Sequence, residues 1–463
     1  MSSESKRQIY LENAYEDRIS KLPEAIHCQI LSYLSTKDAA KTSVLSRSWR
    51  HAWTSLADLD LHSPRDVNRK SFVDFVNRAL TVRSFPIIKR FRLNIQGDCS
   101  SSNVKSWIEA AVSYKVEELD LCIGQGGVDL LGRLFSCESL RVLKFEGRGG
   151  FIIRNSYFPG TMSMPNLKIL RLDTIEYSSD FTIERMLSCF VNLEELIFYR
   201  LIDHTVKDKT IHVQSSSLKV LKIHMLSGCY MKKTRVVVDA PKLEFLELYS
   251  FGCLILDIEA NSCSIVDAVL YLKSYIWSYP KEAAIQSAVA RFVASISSTV
   301  KVLALSPDIL QDLFDASNNN MPCFPNLNQL VVKYFQSGMS NLLDMLRILP
   351  NLKVLVLTKV YENFVLSKSW DDEQNVVPQC LKSSIERIEF KGYTGFSGDM
   401  EILKYILRNA KALKKFYISA FSSQDSQEPF KEELLNKVLV LPKTCQVKIE
   451  HSMGIPYQFH AAK

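Results

Sequence analysis

From residue 88 onward the chain keeps returning to one short phrase, with apolar residues at its first, fourth and sixth positions. The copies are Ile88-Phe91-Leu93, Val116-Leu119-Leu121, Leu140-Leu143-Phe145, Leu167-Leu170-Leu172, Leu193-Leu196-Phe198, Leu218-Leu221-Ile223 and Leu243-Leu246-Leu248. Their central positions, from Phe91 to Leu246, stand 28, 24, 27, 26, 25 and 25 residues apart. The phrase resumes at Val300-Leu303-Leu305, Leu327-Leu330-Val332, Leu352-Leu355-Leu357, Ile385-Ile388-Phe390 and Leu413-Phe416-Ile418. A unit this short cannot hide its apolar face alone, so the copies must stack on one another. Strand side chains alternate between faces, which sends the apolar positions inward and the residues between them onto an exposed sheet surface. Between Leu246 and Leu303 lie 57 residues, about two periods, where Ile265, Ala268 and Leu270 form a weaker copy and Ser274 to Ile296 reads as a helical excursion.

A period in the twenties built on L-x-x-L-x-L is the leucine-rich-repeat signature, each unit supplying one strand and a return segment. Four copies are announced by a proline: Pro165-Asn166-Leu167, Pro241-Lys242-Leu243, Pro325-Asn326-Leu327 and Pro350-Asn351-Leu352. Proline ends the return and favours an extended entry into the strand.

Asp17 to Leu56 has a different pattern. Leu22, Ile26, Ile30 and Leu34 recur at steps of four behind Pro23, which suits a helix's first turn. Ser35, Thr36 and Asp38 signal a second helix from about Asp38 to Leu45. Leu45, Trp49 and Trp53 predict a third. Forty residues cannot bury all of these among themselves, so part of the surface must meet another body. The stretch resembles the plant F-box in its DRISxLP opening and TSVLSRSWRxxW ending, across all forty residues. The resemblance implies that the chain binds a Skp-family adaptor, and through it a cullin ligase core. The adaptor-contact residues it implies are Leu22, Pro23, Ile26, Ile30, Leu31, Leu34, Val44, Leu45, Trp49 and Trp53, with Leu22 and Trp49 as hot spots.

Near the carboxyl end, Gln379 to Tyr393 with Asp399 to Leu413 resembles the FBD region of the same plant family. In physical terms it is a strand, an amphipathic helix carrying Ile402, Leu403, Ile406, Leu407 and Ala410 on one face, and a strand around Phe416. A polar loop from Ser422, a helix near Glu432 to Val440 and a last strand at Cys445 to Ile449 follow, together capping the stack. The expected architecture is α/β: a disordered tail (1–16), a three-helix F-box (17–63), a helical linker (64–87), a leucine-rich-repeat solenoid with parallel strands on its concave face (88–377), an FBD-like α/β cap (378–450) and a second tail (451–463).

Composition excludes several classes. At 47% hydrophobic and 23% charged the chain is globular, and no apolar run is long enough for a membrane span. A net charge of +7 without a basic block argues against nucleic acid as partner. None of the eleven cysteines forms C-x-x-C, so no metal or cofactor is expected, and a reduced cytoplasmic or nuclear protein is. Gly124 to Gly127 lacks the spacing of a phosphate-binding loop and, like Arg148-Gly149-Gly150, reads as a turn. No catalytic motif is present, and no catalytic residue is expected.

What remains is the outward column Asp120, Lys144, Arg171, Ile197, Lys222, Glu247, Ala304, Val331, Val356, Glu389 and Tyr417. With Tyr199, His224 and Tyr249 from the next column, its first half pairs cations with aromatic rings, which suits an acidic or phosphorylated partner. The candidate substrate-binding residues are therefore Lys144, Arg171, Tyr199, Lys222, His224 and Tyr249. The expectation is a non-catalytic receptor subunit that presents a protein substrate for ubiquitination. Two alternatives remain: a receptor of the same architecture that depends on a hormone or inositol phosphate, or a scaffold outside any ligase.

Overall fold

The second and third apolar residues of every triplet lie in a strand and are buried, and the first precedes it. The computed structural model describes residues 17–63, 69–84, 87–125, 128–129, 132–147, 151–153, 164–173, 175–177, 183–203, 209–227, 233–251, 253–258, 264–273, 283–317, 321–334, 339–359, 376–393, 397–420 and 445–451. They fall into two compact units, Met1–Asp203 and His204–Lys463. The expected tail at 1–16, the expected tail at 451–463 apart from His451, the turn residues Gly126, Gly127 and 148–150, the loop from Ser422 and the helix near Glu432 lie outside the described residues.

In the first unit, β1 (Asp58–Ser63), β2 (Arg90–Asp98), β3 (Glu118–Gln125), β5 (Val142–Gly147), β7 (Ile169–Asp173) and β9 (Glu195–Asp203) pair successively and in parallel. Leu119, Leu121, Leu143, Phe145, Leu170 and Leu196 are fully buried between this sheet and the return segments. Three short strands, β4 (Val128–Asp129), β6 (Phe151–Ile153) and β8 (Ile175–Tyr177), form a second parallel run beside the first. The returns include the helix Ser101–Ser113, whose buried Trp107 donates its indole N–H to Asn77 Oδ1 at 2.7 Å on the helix Arg69–Thr81.

The second unit continues the plan through β11 (Val220–Ser227), β13 (Phe245–Phe251), β15 (Asp267–Lys273), β16 (Val302–Leu305), β17 (Gln329–Tyr334), β18 (Val354–Lys359), β19 (Arg387–Tyr393), β20 (Lys415–Ala420) and β21 (Gln446–His451), all parallel. The weak copy at Ile265 to Leu270 is thus a full member, and the excursion after it contains the helix Ala283–Ser295. A separate parallel sheet, β10 (Lys209–Gln214), β12 (Lys233–Asp239) and β14 (Cys253–Ile258), was not anticipated by the one-strand-per-repeat reading. Its signal was the alternation Ile211-His212-Val213 and Val236-Val237-Val238, in which Ile211, Val213, Val236 and Val238 are buried.

The carboxyl-terminal elements extend the same ladder. A bulge between Lys391 and Tyr393 turns the Tyr393 ring into the core, edge-on to Phe390 at 6.3 Å. The bulge requires Gly392: its φ is +82°, and a Cβ there would stand 3.3 Å from the Lys359 carbonyl. No helix among the described residues is long and apolar enough to cross a membrane.

Candidate functional site

The amino-terminal unit is held by a small interior of Leu31, Ala39, Trp49, Ala52, Trp53 and Leu56, closed from below by Ala79 of the helix Arg69–Thr81. Its first helix, Glu24–Leu31, follows Pro23, and its second, Thr36–Lys41, is capped by Ser35, whose Oγ accepts from the Asp38 amide at 3.2 Å. Lys41 and Ser35 hydrogen-bond the Asp38 side chain and hold its carboxyl below the ordinary range.

The expected third helix is not a regular α-helix. A 3₁₀ turn at Thr42–Val44, a run of turns and a second 3₁₀ turn at Ala52–Ser55 occupy that stretch. Ser46 and Ser48 bond each other at 2.9 Å, and Ser48 donates to the Ser20 carbonyl at 3.0 Å, which ties this stretch to the segment before the first helix.

Three of the ten expected contact residues are interior ones. Leu31, Trp49 and Trp53 are 0%, 2% and 8% exposed, because the turn run folds back over the first helix and seats both indoles on the core. Leu22 is half-buried and Pro23 exposed. Ile26, Ile30 and Leu34 are partly open, while Leu45 and Val44 are 62% and 86% exposed. Two further exposed apolar residues, Ile19 and Tyr33, went unnamed at the sequence level, although Ile26, Ile30 and Tyr33 have the i, i+4, i+7 spacing of one helix face. His27 was also missed: it is buried, 4.4 Å from the Trp49 ring, with Nε2 3.0 Å from the Ile19 carbonyl.

This module is continuous with the repeat sheet. The Asp60 amide of the edge strand β1 donates to the buried Thr36 hydroxyl at 2.7 Å, and Lys89 N donates to Ala57 O at 2.8 Å. Arg83 donates from Nη2 to the Leu56 carbonyl at 2.6 Å and to Ile87 O at 3.2 Å, with its guanidinium 5.8 Å from the Tyr114 ring centre. Burial pulls the Arg83 pKa below its ordinary value.

The six sheet-surface candidates are divided between the two units. Lys144, Arg171 and Tyr199 belong to the first unit, with Arg171 over the Tyr199 ring at 4.9 Å. Lys222, His224 and Tyr249 belong to the second, together with a residue that sequence reasoning had placed in the outward column without assigning it a task. That residue is Glu247, whose carboxylate accepts from Lys222 Nζ at 3.2 Å and from His224 Nε2 at 2.7 Å. Burial alone would raise the Glu247 pKa, but the His224 hydrogen bond and the Lys222 charge outweigh it and hold the carboxyl below the ordinary range. Lys222 and His224, two of the side chains expected to meet a partner, are thus engaged by their own sheet. Tyr249 stacks on Tyr271 at 4.6 Å, and Lys333 Nζ stands 4.2 Å from the Tyr271 ring centre. Among the described residues no group of three or more His, Cys, Asp or Glu side chains is placed to hold a metal ion.

An amino-terminal helical module fused to a parallel repeat sheet defines an F-box protein of the leucine-rich-repeat class. Family profiles agree: the F-box domain matches residues 19–60, the repeat region described as "FBD-associated F-box protein At5g56370, LRR repeats" matches 104–332, and FBD matches 373–418. Similar proteins from Arabidopsis thaliana include the FBD-associated F-box protein At1g66310, 32% identical over 94% of this chain and 96% of its own length. The F-box/FBD/LRR-repeat proteins At5g22660 (29% identical, 94% and 96% covered) and At1g51370 (27%, 91% and 93%) are others. The chain belongs to the plant F-box/FBD/LRR-repeat family.

Proposed function

We propose that this protein is the substrate-receptor subunit of an SCF-type ubiquitin ligase, acting in the cytoplasm or nucleus. One observation carries the reading: the F-box has a filled interior and still exposes Ile26, Ile30, Tyr33, Leu34, Val44 and Leu45. An apolar set of that size on a module already packed below is a docking surface for a second protein, and a Skp-family adaptor is the partner that an F-box takes. The repeat sheet then holds the substrate. The chain contributes proximity, converting a dilute encounter between substrate and conjugating enzyme into a local one, with no acid, base or nucleophile of its own.

Binding to a recombinant Skp-family adaptor tests this, and the structure says which variants to use. Val44→Asp combined with Leu45→Asp places charges at exposed sites, so the melting temperature stays near wild type while adaptor affinity falls at least about tenfold. Trp49→Ala loses adaptor binding by a different route, through a core cavity costing about 3–5 kcal/mol. Retention of the adaptor by the double-aspartate variant would overturn the proposal.

A further inference from the structure

On the sheet surface of the first unit the charges change character from one strand to the next. In β2 each arginine lies between two carboxylates from flanking strands. Arg90 meets Glu118 at 2.9 Å and Asp58 at 3.6 Å, while Arg92 meets Asp120 at 3.3 Å and Asp60 at 4.0 Å. The same register row continues from Asp120 to Lys144 on β5, Arg171 on β7 and Ile197 on β9. There the compensation stops. Among the described residues Lys144 makes no hydrogen bond or ion pair, and the contact of the Arg171 guanidinium is with the Tyr199 ring. The two cations are direct register partners on strands about 4.8 Å apart, an arrangement that costs a sheet stability.

We propose that Lys144 and Arg171 form an anchor for a carboxylate side chain, and that the substrate offers this face an extended segment with a glutamate or aspartate beside an apolar residue. The inference rests on the repeat sheet being the substrate surface. Tyr199 holds the guanidinium by its face, which leaves the N–H edge for an acceptor. The neighbouring rows define the class of anion. Two residues further along the same strands stand Glu146, in register with Cys122, and the buried Asp173; burial first, and then the charges of Glu146, Asp120 and Asp173, push the Cys122 thiol up. A polyanion such as a nucleic acid or an inositol polyphosphate would meet the exposed Glu146 carboxylate as it met the two cations. A phosphorylated side chain, with its larger charge, meets the same opposition. A single carboxylate fits between the rows. On the opposite side the row bears Val142 and Ile169, both half-buried, a patch for the apolar neighbour of the acid.

The test is selection of a random peptide display library on the full chain, purified with and without recombinant Skp-family adaptor. In parallel the library is selected on the Lys144→Glu, Arg171→Glu variant. Wild type enriches peptides with an acidic residue next to an apolar one, and the variant loses that preference and gains basic residues. Synthetic versions of an enriched peptide follow: changing its Glu to Gln weakens binding by about tenfold or more, as does Lys144→Gln with Arg171→Gln in the protein. Phosphoserine in place of the Glu binds no better. Absence of enrichment, one motif shared by wild type and variant, equal binding of the Glu and Gln peptides, tighter binding of phosphoserine, or displacement by inositol hexakisphosphate would each overturn the anchor. Adaptor retention is read on the same preparations. Loss of the adaptor with peptide selection intact counts against the ligase reading alone, whereas the reverse counts against the anchor alone.

Discussion

Glu247 shows how one side chain changes the meaning of its neighbours. Lys222 and His224 read in the sequence as a cation and a ring on a recognition face, and both are tied to the Glu247 carboxylate one strand away. Since its pKa is lowered on folding, ionised Glu247 contributes stability that is fully present above the ordinary Glu value and is lost as pH falls through the lowered one. Urea midpoints measured from neutral pH to below about pH 3 should therefore fall more steeply for wild type, in the range under the ordinary Glu value, than for Glu247→Gln, which loses about 1–3 kcal/mol at neutral pH. Parallel slopes would remove the pair from the stability account. At this scale the sequence was legible where a residue's role follows from its own strand's alternation. It was opaque where a partner from another segment decides, as with Trp49 seated beside His27, or Lys222 beside Glu247.

The repeat element shows the same division. Proline was legible as the end of four returns, yet the asparagine just before the first leucine of a repeat does the joining. Asn166 donates to the Glu138 carbonyl at 2.8 Å, Asn192 to Pro165 at 2.8 Å, Asn326 to Ser298 at 2.7 Å and Asn351 to Pro325 at 2.8 Å, each reaching the preceding repeat. Where a repeat lacks the asparagine, a serine hydroxyl makes a corresponding bond, as Ser139 does to Val116 at 2.9 Å and Ser384 to Pro350 at 2.9 Å. Removing one such link should cost about 1 kcal/mol, so Asn351→Ala lowers the denaturation midpoint measurably while Asn351→Ser recovers part of it. An alanine variant as stable as wild type would show the bond to be dispensable. Pattern alone found every strand of the main ladder from Phe91 onward, because leucine spacing is a local property. It missed β1, the short strands β4, β6 and β8, and the separate sheet of β10, β12 and β14, because none of these carries the leucine spacing.

At the scale of the whole molecule, the F-box and the first repeats share one interior through Ala79 and one backbone register through Thr36 and Asp60. Thr36→Val keeps the side-chain volume and removes the hydroxyl, leaving the Asp60 amide without its acceptor. A loss of about 1–3 kcal/mol is expected, read as a lower melting temperature of the full chain. An unchanged melting temperature would mean that water replaces the hydroxyl at no cost.

The bond between Thr36 and Asp60 also bears on how such a receptor can fail. A chain cut short of its first helices would leave the outer edge of β1 bare, together with the apolar residues that packed beneath the indoles. Open strand edges recruit other strands, so the truncated product would self-associate and be cleared by quality control. Deleting the adaptor-binding segment would in that case produce a null rather than a decoy that sequesters substrate. Dominant interference is instead expected from point changes such as those at Val44 and Leu45, which spare the edge.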